Sequence, residues 1–190
     1  MKSHAILFTL LFTGFTVHAQ LSHGDVETSF SLALQSMSSG GSSSSGGSTS
    51  TNLLLSARIG FFPMDRFEIE PEFTVLKAEN VNALYLFNAN LVYNFELATG
   101  KAHPFLLAGY GISNSFPLFD ILGVNFDTTI GVLNLGAGMK VFVANNVAVR
   151  FEYRYQKFTG SKSGPSYAYS YTYTIDMNSH TVHVGFSIVL

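Results

Sequence analysis

The chain of 190 residues carries ten basic and twelve acidic side chains, a formal net charge of −2 and no cysteine. That balance gives no electrostatic footprint for nucleic acid, and without thiols there is no disulfide, zinc thiolate or lipoprotein cysteine. Charged residues reach only 12% of the chain, against about a quarter in soluble domains, yet no apolar run beyond the N-terminal segment approaches the roughly 18 residues of a membrane helix.

Residues 1–19 read as a secretory signal peptide. Lys2 supplies a basic start, residues 5–17 form a mostly apolar core too short to span a bilayer, and Val17-His18-Ala19 offers a compact cleavage site. Residues 20–190 then make one domain. Read with a period of two, this domain divides into eight strands, each with one apolar face. The first shows Phe30, Leu32 and Leu34; the second Leu53, Leu55, Ala57, Ile59 and Phe61. Between them, residues 38–51 contain only Ser, Gly and Thr, the composition of a flexible, uncharged linker. The third strand sets Phe67, Ile69, Phe73 and Val75 against Glu68, Glu70, Glu72 and Thr74, and the fourth sets Tyr85, Phe87, Ala89, Leu91 and Tyr93 against Asn88, Asn90 and Asn94.

The fifth strand starts at Pro104 and carries Leu106, Ala108, Tyr110 and Ile112, and the sixth alternates Leu133, Leu135, Ala137 and Met139 with glycines and Lys140. The seventh, residues 147–156, alternates apolar or aromatic with polar or charged almost without a break, so one face suits hydrocarbon and the other a wet, charged interior. The eighth holds Val182, Val184, Phe186, Ile188 and Leu190. Connections alternate between short turns, as at 63–65 and 144–146, and longer ones, as at 114–127 and 158–176. The expectation is an all-β fold: an eight-stranded antiparallel transmembrane β-barrel, an up-and-down meander with long loops outside and both termini periplasmic.

Face parity refines the turns. Centring the second hairpin on Met64 pairs Arg58 with Glu70, and centring the sixth and seventh strands on Asn145 faces Ala137 with Tyr153 and Met139 with Phe151. Pro71 falls mid-strand, where it removes a ladder donor, so a bulge is expected there. Tyr167, Tyr169, Tyr171 and Tyr173 recur at every second position in the last long connection. They suggest a surface ribbon, since tyrosine gives large contact area at low entropic cost. Their odd parity conflicts with the even apolar set of the eighth strand, which predicts a bulge or turn within 176–179.

With these residues in place, the chain resembles the OmpA/OmpX-like eight-stranded outer-membrane β-barrel family over essentially all of residues 20–190. The carrying pieces are Phe151-Glu152-Tyr153-Arg154-Tyr155, Pro104 followed by Gly109-Tyr110-Gly111, and Glu68-Ile69-Glu70-Pro71-Glu72-Phe73. The resemblance implies an integral protein of a bacterial outer membrane, of the small porin-like kind, with lipid and lipopolysaccharide around it. It also implies a C-terminal signal for the outer-membrane insertion machinery, matched here by His183, Gly185, Ile188 and Leu190, with Leu190 where the family usually has Phe. Larger members append a periplasmic peptidoglycan-binding domain, which this sequence is not expected to add.

The inward positions form a candidate lumen charge network of Arg58, Glu68, Glu70, Glu72, Lys140, Arg150, Glu152 and Arg154. In so narrow a barrel these side chains are expected to plug the interior as mutually neutralising pairs. Glu68, Glu70 and Glu72 point the same way along one strand but stand about 6.5 to 7 Å apart, so neither catalysis nor a metal site is expected. Related lipid A deacylases use a His-x-Ser arrangement, which Ser179-His180-Thr181-Val182-His183 lacks; both histidines read as strand residues near water or the interface. The sequence therefore points to a structural or adhesion-like surface role toward an extracellular surface or protein, without enzyme chemistry or cofactor. A narrow gated pore is the alternative, and a lipid A modifying enzyme comes third.

Overall fold

The computed structural model describes residues 21–39, 49–77, 84–98, 100–113, 130–165 and 170–190. Eight antiparallel strands run β1 (Val26–Ser39), β2 (Thr49–Met64), β3 (Phe67–Lys77), β4 (Leu84–Asn94), β5 (Ala102–Ser113), β6 (Ile130–Ala144), β7 (Val147–Pro165) and β8 (Ser170–Val189). Each pairs with its sequence neighbours, and β8 returns to β1, closing the barrel. The two ends of the described barrel meet at the end carrying the short turns, where Leu190 N–H donates to the Val26 carbonyl at 2.8 Å and Val26 N–H to that of Leu190 at 3.1 Å.

The alternation of the sequence becomes two surfaces. Outward, Leu32, Leu34, Leu53, Leu55, Leu106, Tyr110, Tyr153 and Val182 are more than half exposed, a continuous apolar belt that water would not tolerate. Inward lie the odd positions of β1, β5 and β8 and the even positions of the other five strands, so parity holds around the whole wall. Residues 1–20 and 40–48, which hold most of the signal peptide and Ser/Gly linker readings, are outside the described residues.

Three local expectations are corrected. The β2–β3 register pairs Arg58 with Glu72, not Glu70, because the turn closes around Asp65 and Arg66 and an extra residue is absorbed in β2 between Phe61 and Met64. Arg66 takes a left-handed backbone, φ 67°, and its carbonyl accepts the Asn94 N–H at 2.8 Å. The bulge thus falls beside Pro63. At Pro71 the β2–β3 pairing is interrupted between Arg58↔Glu72 and Phe61↔Ile69 without a change of register, while β4 pairs straight through it at Ala89. The missing donor opens one ladder locally, and no bulge is needed.

The third correction concerns residues 158–176. Here β7 and β8 stay paired to Pro165↔Ser170, so paired strand replaces most of the expected long connection. No register shift occurs between β7 and β8, so no bulge forms within 176–179. The β6–β7 hairpin is as expected, with Ala137 opposite Tyr153 and Met139 opposite Phe151, and an extra residue between Phe142 and Ala144.

Close approach explains one inward glycine. A Cβ on Gly138 would lie 2.3 Å from the Phe151 carbonyl oxygen and 2.4 Å from Phe105 Cζ. Gly138→Ala should therefore destabilise the barrel by about 1–3 kcal/mol through overpacking, whereas Ala137→Val on the outward face should change little. Urea titration of protein refolded into lipid vesicles, read by the mobility of folded and unfolded bands, measures both.

Candidate functional site

The lumen is filled by an ionic network. Arg58, Lys140, Arg150 and Arg154 are at most 2% exposed, as are Glu68, Glu70 and Glu72, with Glu152 at 3%. Lys140 Nζ bridges Glu27 Oε2 at 2.5 Å and Glu68 Oε2 at 2.8 Å. Arg150 binds Glu70 through Nη1 and Nη2 and Glu152 Oε2 at 2.8 Å. Arg154 joins Glu72 Oε2 to Glu152 Oε1, both at 2.5 Å. Arg58 Nε donates to Glu72 Oε1 at 3.0 Å and stands 3.8 Å from Glu70 Oε1. Each base therefore serves at least two acids, and the contacts run as a connected set across β1, β2, β3, β6 and β7. That is the arrangement in which buried charges persist.

Neutral donors add to these contacts. Asn90 Nδ2 donates to Glu72 at 3.1 Å, Asn94 Nδ2 to Glu68 at 3.3 Å, and Ser29 Oγ to Glu27 at 2.8 Å. The ring of Phe105 lies 4.6 Å from the Arg150 guanidinium carbon, a cation–π contact. Toward the long-loop end an amide chain follows, from Gln156 to Asn134 at 2.8 Å and from Asn134 to Asn90 at 3.3 Å. Apolar clusters lie at both ends: Leu21, Phe62, Phe142 and Ala148 near the short turns, and Leu86, Val132 and Phe158 near the long loops.

Two members escaped the sequence reading. Glu27, fully buried, makes five lumenal carboxylates against four permanent cations. Its signal was available, since it shares the parity of Ser29 and Ser31 opposite Phe30 and Leu32, but it precedes the apolar run that marked the first strand. His183 is 2% exposed; its Nδ1 accepts from Arg58 Nη2 at 3.0 Å and lies 3.4 Å from Ser31 Oγ. It belongs to the lumen and not to the interface. His180 is exposed, 2.7 Å from the Tyr153 hydroxyl.

The carboxylates of Glu27, Glu68 and Glu70 offer oxygens within 4.8 Å of one another, closer than strand spacing alone implies. Lys140 and Arg150 hold them together, so ammonium and guanidinium groups already supply the positive charge a metal would bring. Of the C-terminal set, His183 lies in the network, and Gly185 sits where a Cβ would be 2.1 Å from the Phe30 carbonyl oxygen. Ile188 is half-buried in β8, and Leu190 just beyond it is 77% exposed. Tyr167 and Tyr169 are outside the described residues, while Tyr171 and Tyr173 pair in register with Gly164 and Lys162.

A family model, the outer membrane protein beta-barrel domain, matches residues 6–188. The chain belongs to that family. It is an integral barrel of the outer membrane, and three solved structures share its fold. Neisserial surface protein A is 17% identical, with 87% of this chain and 99% of that one covered and a TM-score of 0.59. Ail, the attachment invasion locus protein of Yersinia pestis, is 12% identical, covering 88% and 99%, with a TM-score of 0.53. OprG from Pseudomonas aeruginosa is 14% identical, covering 93% and 99%, with a TM-score of 0.52. A search of curated proteins finds no significant match.

The network makes a measurable demand on this outer-membrane barrel. In a double-mutant cycle, Arg58→Met with Glu72→Gln should show coupling of about 1–3 kcal/mol. Arg58→Met with Glu70→Gln should couple less, following the longer contact. Lys140→Met alone, leaving Glu27 and Glu68 without their shared cation, should cost about 3–5 kcal/mol. Equilibrium unfolding in vesicles gives these values, and equal coupling in the two cycles would contradict the geometry.

Proposed function

We propose that this barrel is a rigid surface protein whose β7–β8 hairpin makes adhesion-like contact with an extracellular surface or protein. The observation that carries the reading is the length of the β7–β8 pairing. Among the described residues β7 and β8 pair from Val147↔Ile188 to Pro165↔Ser170, farther than any other two strands. This long paired ribbon carries Tyr171 and Tyr173 at alternate positions, with Tyr167 and Tyr169 preceding them in sequence. Tyrosine in such a ribbon offers amphipathic anchors. The orientation that suits this role has the long loops outside and both termini periplasmic, lipid and lipopolysaccharide around the belt, and delivery by the insertion machinery through His183, Gly185, Ile188 and Leu190.

The filled lumen supports this role over the alternative of a narrow gated pore, because conduction would require several buried ion pairs to exchange partners. It also counts against a lipid A modifying enzyme. Ser31 lies near His183, but both are at most 4% exposed, and Arg58 already occupies the histidine's Nδ1.

Replacing all four tyrosines with Ser should preserve heat-dependent gel mobility and reduce attachment of expressing cells about tenfold, as expected when anchor residues are lost. Loss of folding with unchanged attachment would overturn the ribbon. Protease cleavage at the hairpin on intact cells tests the orientation, and planar-bilayer recordings of the unmutated protein should show no sustained large channels.

A further inference from the structure

The outward face of β7 and β8 changes character at one level. Below it run Phe151, Val182, Val184 and Phe186, all about half exposed. Above Val182 come His180, Asn178 and Asp176 on β8, facing Tyr155, Lys157 and Thr159 on β7, with Ser36 of β1 opposite His180. The Tyr153 hydroxyl lies 2.7 Å from His180 Nδ1, and the imidazole sits between two phenol rings, 6.1 Å from Tyr153 and 5.5 Å from Tyr155. The Tyr155 hydroxyl donates to Asn178 Oδ1 at 2.7 Å.

We propose that this patch binds the phosphate of a membrane lipid headgroup. The hydrogen bond to Tyr153 uses the imidazole's Nδ1, so Nε2 is the ring nitrogen that remains for a ligand. With Asn178 Oδ1 accepting from Tyr155, the amide nitrogen is left to donate. Lys157 adds an ammonium 3.7 Å from Asp176, a loose pair with side chains 42% and 59% exposed. The His180 ring nitrogen, the Asn178 amide and the Lys157 ammonium thus occupy neighbouring register positions where the hydrocarbon-facing rows end, and Asp176 is the one acid among these facing groups. A lipid phosphate meets both halves of the surface: its oxygens accept from His180, Asn178 and Lys157, and its acyl chains lie along Phe151, Val182 and Val184. The two tyrosines fix the histidine's position and leave their own hydroxyls satisfied, as amphipathic rings at a membrane boundary require. This goes beyond the surface role and does not depend on which leaflet the patch faces.

The test uses the full chain purified in a neutral sugar detergent, with lipid retention read by native mass spectrometry. Phosphatidylglycerol should be retained about tenfold more strongly than galactosyl diacylglycerol of the same acyl chains, the difference expected of a charge-assisted contact. His180→Phe with Lys157→Gln should abolish that preference while leaving heat-modifiable mobility intact. Tyr85→Phe on β4, across the barrel, should leave it unchanged. Equal retention of the two lipids by the unmutated protein would overturn the proposal, whether or not the double variant folds. So would an undiminished preference in the folded double variant, or displacement of phosphatidylglycerol by millimolar inorganic phosphate, which would mean the chains play no part.

Discussion

A closed wall of eight strands leaves an interior only wide enough for side chains, and nine of the inward positions here are charged. A lone charge in that space would face neither water nor a counter-ion, at a cost of several kcal/mol. The observed solution is sharing. Glu72 serves Arg58 and Arg154, Glu152 serves Arg154 and Arg150, and Glu27 with Glu68 brackets Lys140. Sharing ties strands that are not neighbours in the wall, because Lys140 on β6 reaches β1 and β3 across the lumen. The network and the register consequently enforce each other: a one-residue slip of any strand would turn its charges toward lipid and leave their partners unpaired.

Register is set at the short turns, and the same device appears twice. Both the β2–β3 and the β6–β7 turns absorb one extra residue on the incoming strand, before Met64 and before Ala144. Such a bulge sharpens local twist and lets a two-residue turn close while the strands beyond keep their parity. In the first hairpin this device decides which acid meets Arg58. Moving the pairing by two residues leaves every side chain on its own face, so the choice between Glu70 and Glu72 is invisible to hydrophobic alternation. It is visible only in the turn's backbone, where Arg66 adopts a left-handed conformation.

That distinction explains what the sequence could and could not convey. Alternation in the third, fourth and seventh strands was strong enough to give strand number, closure and the inside of the wall, because lipid on one side and a packed lumen on the other punish any exception. All eight charged residues assigned inward from the sequence are buried. Glu27 and His183 were missed for opposite reasons. Glu27 sits before the first clear apolar pair, and His183 lies among apolar neighbours that drew attention to the other face. Pro71 misled through a sound rule applied without its escape: a missing donor need only interrupt the ladder on the side where its N–H would have pointed. At the top of β7, small polar residues carry no periodicity, so the strand's continuation to Pro165 had no sequence mark.

The β7–β8 hairpin is also rooted in the lumen. Within the wall, β7 contributes Arg150, Glu152, Arg154 and Gln156 to the network and its amide extension, and β8 contributes Thr181 and His183. Strands anchored this way cannot slide without breaking several buried contacts at once, so the ribbon above them inherits a fixed direction from the ion pairs below. The charge network then does more than fill space. It gives the long β7–β8 ladder a rigid base, while His180, Tyr153 and Tyr155 mark on the outside the level at which the apolar rows give way to polar side chains.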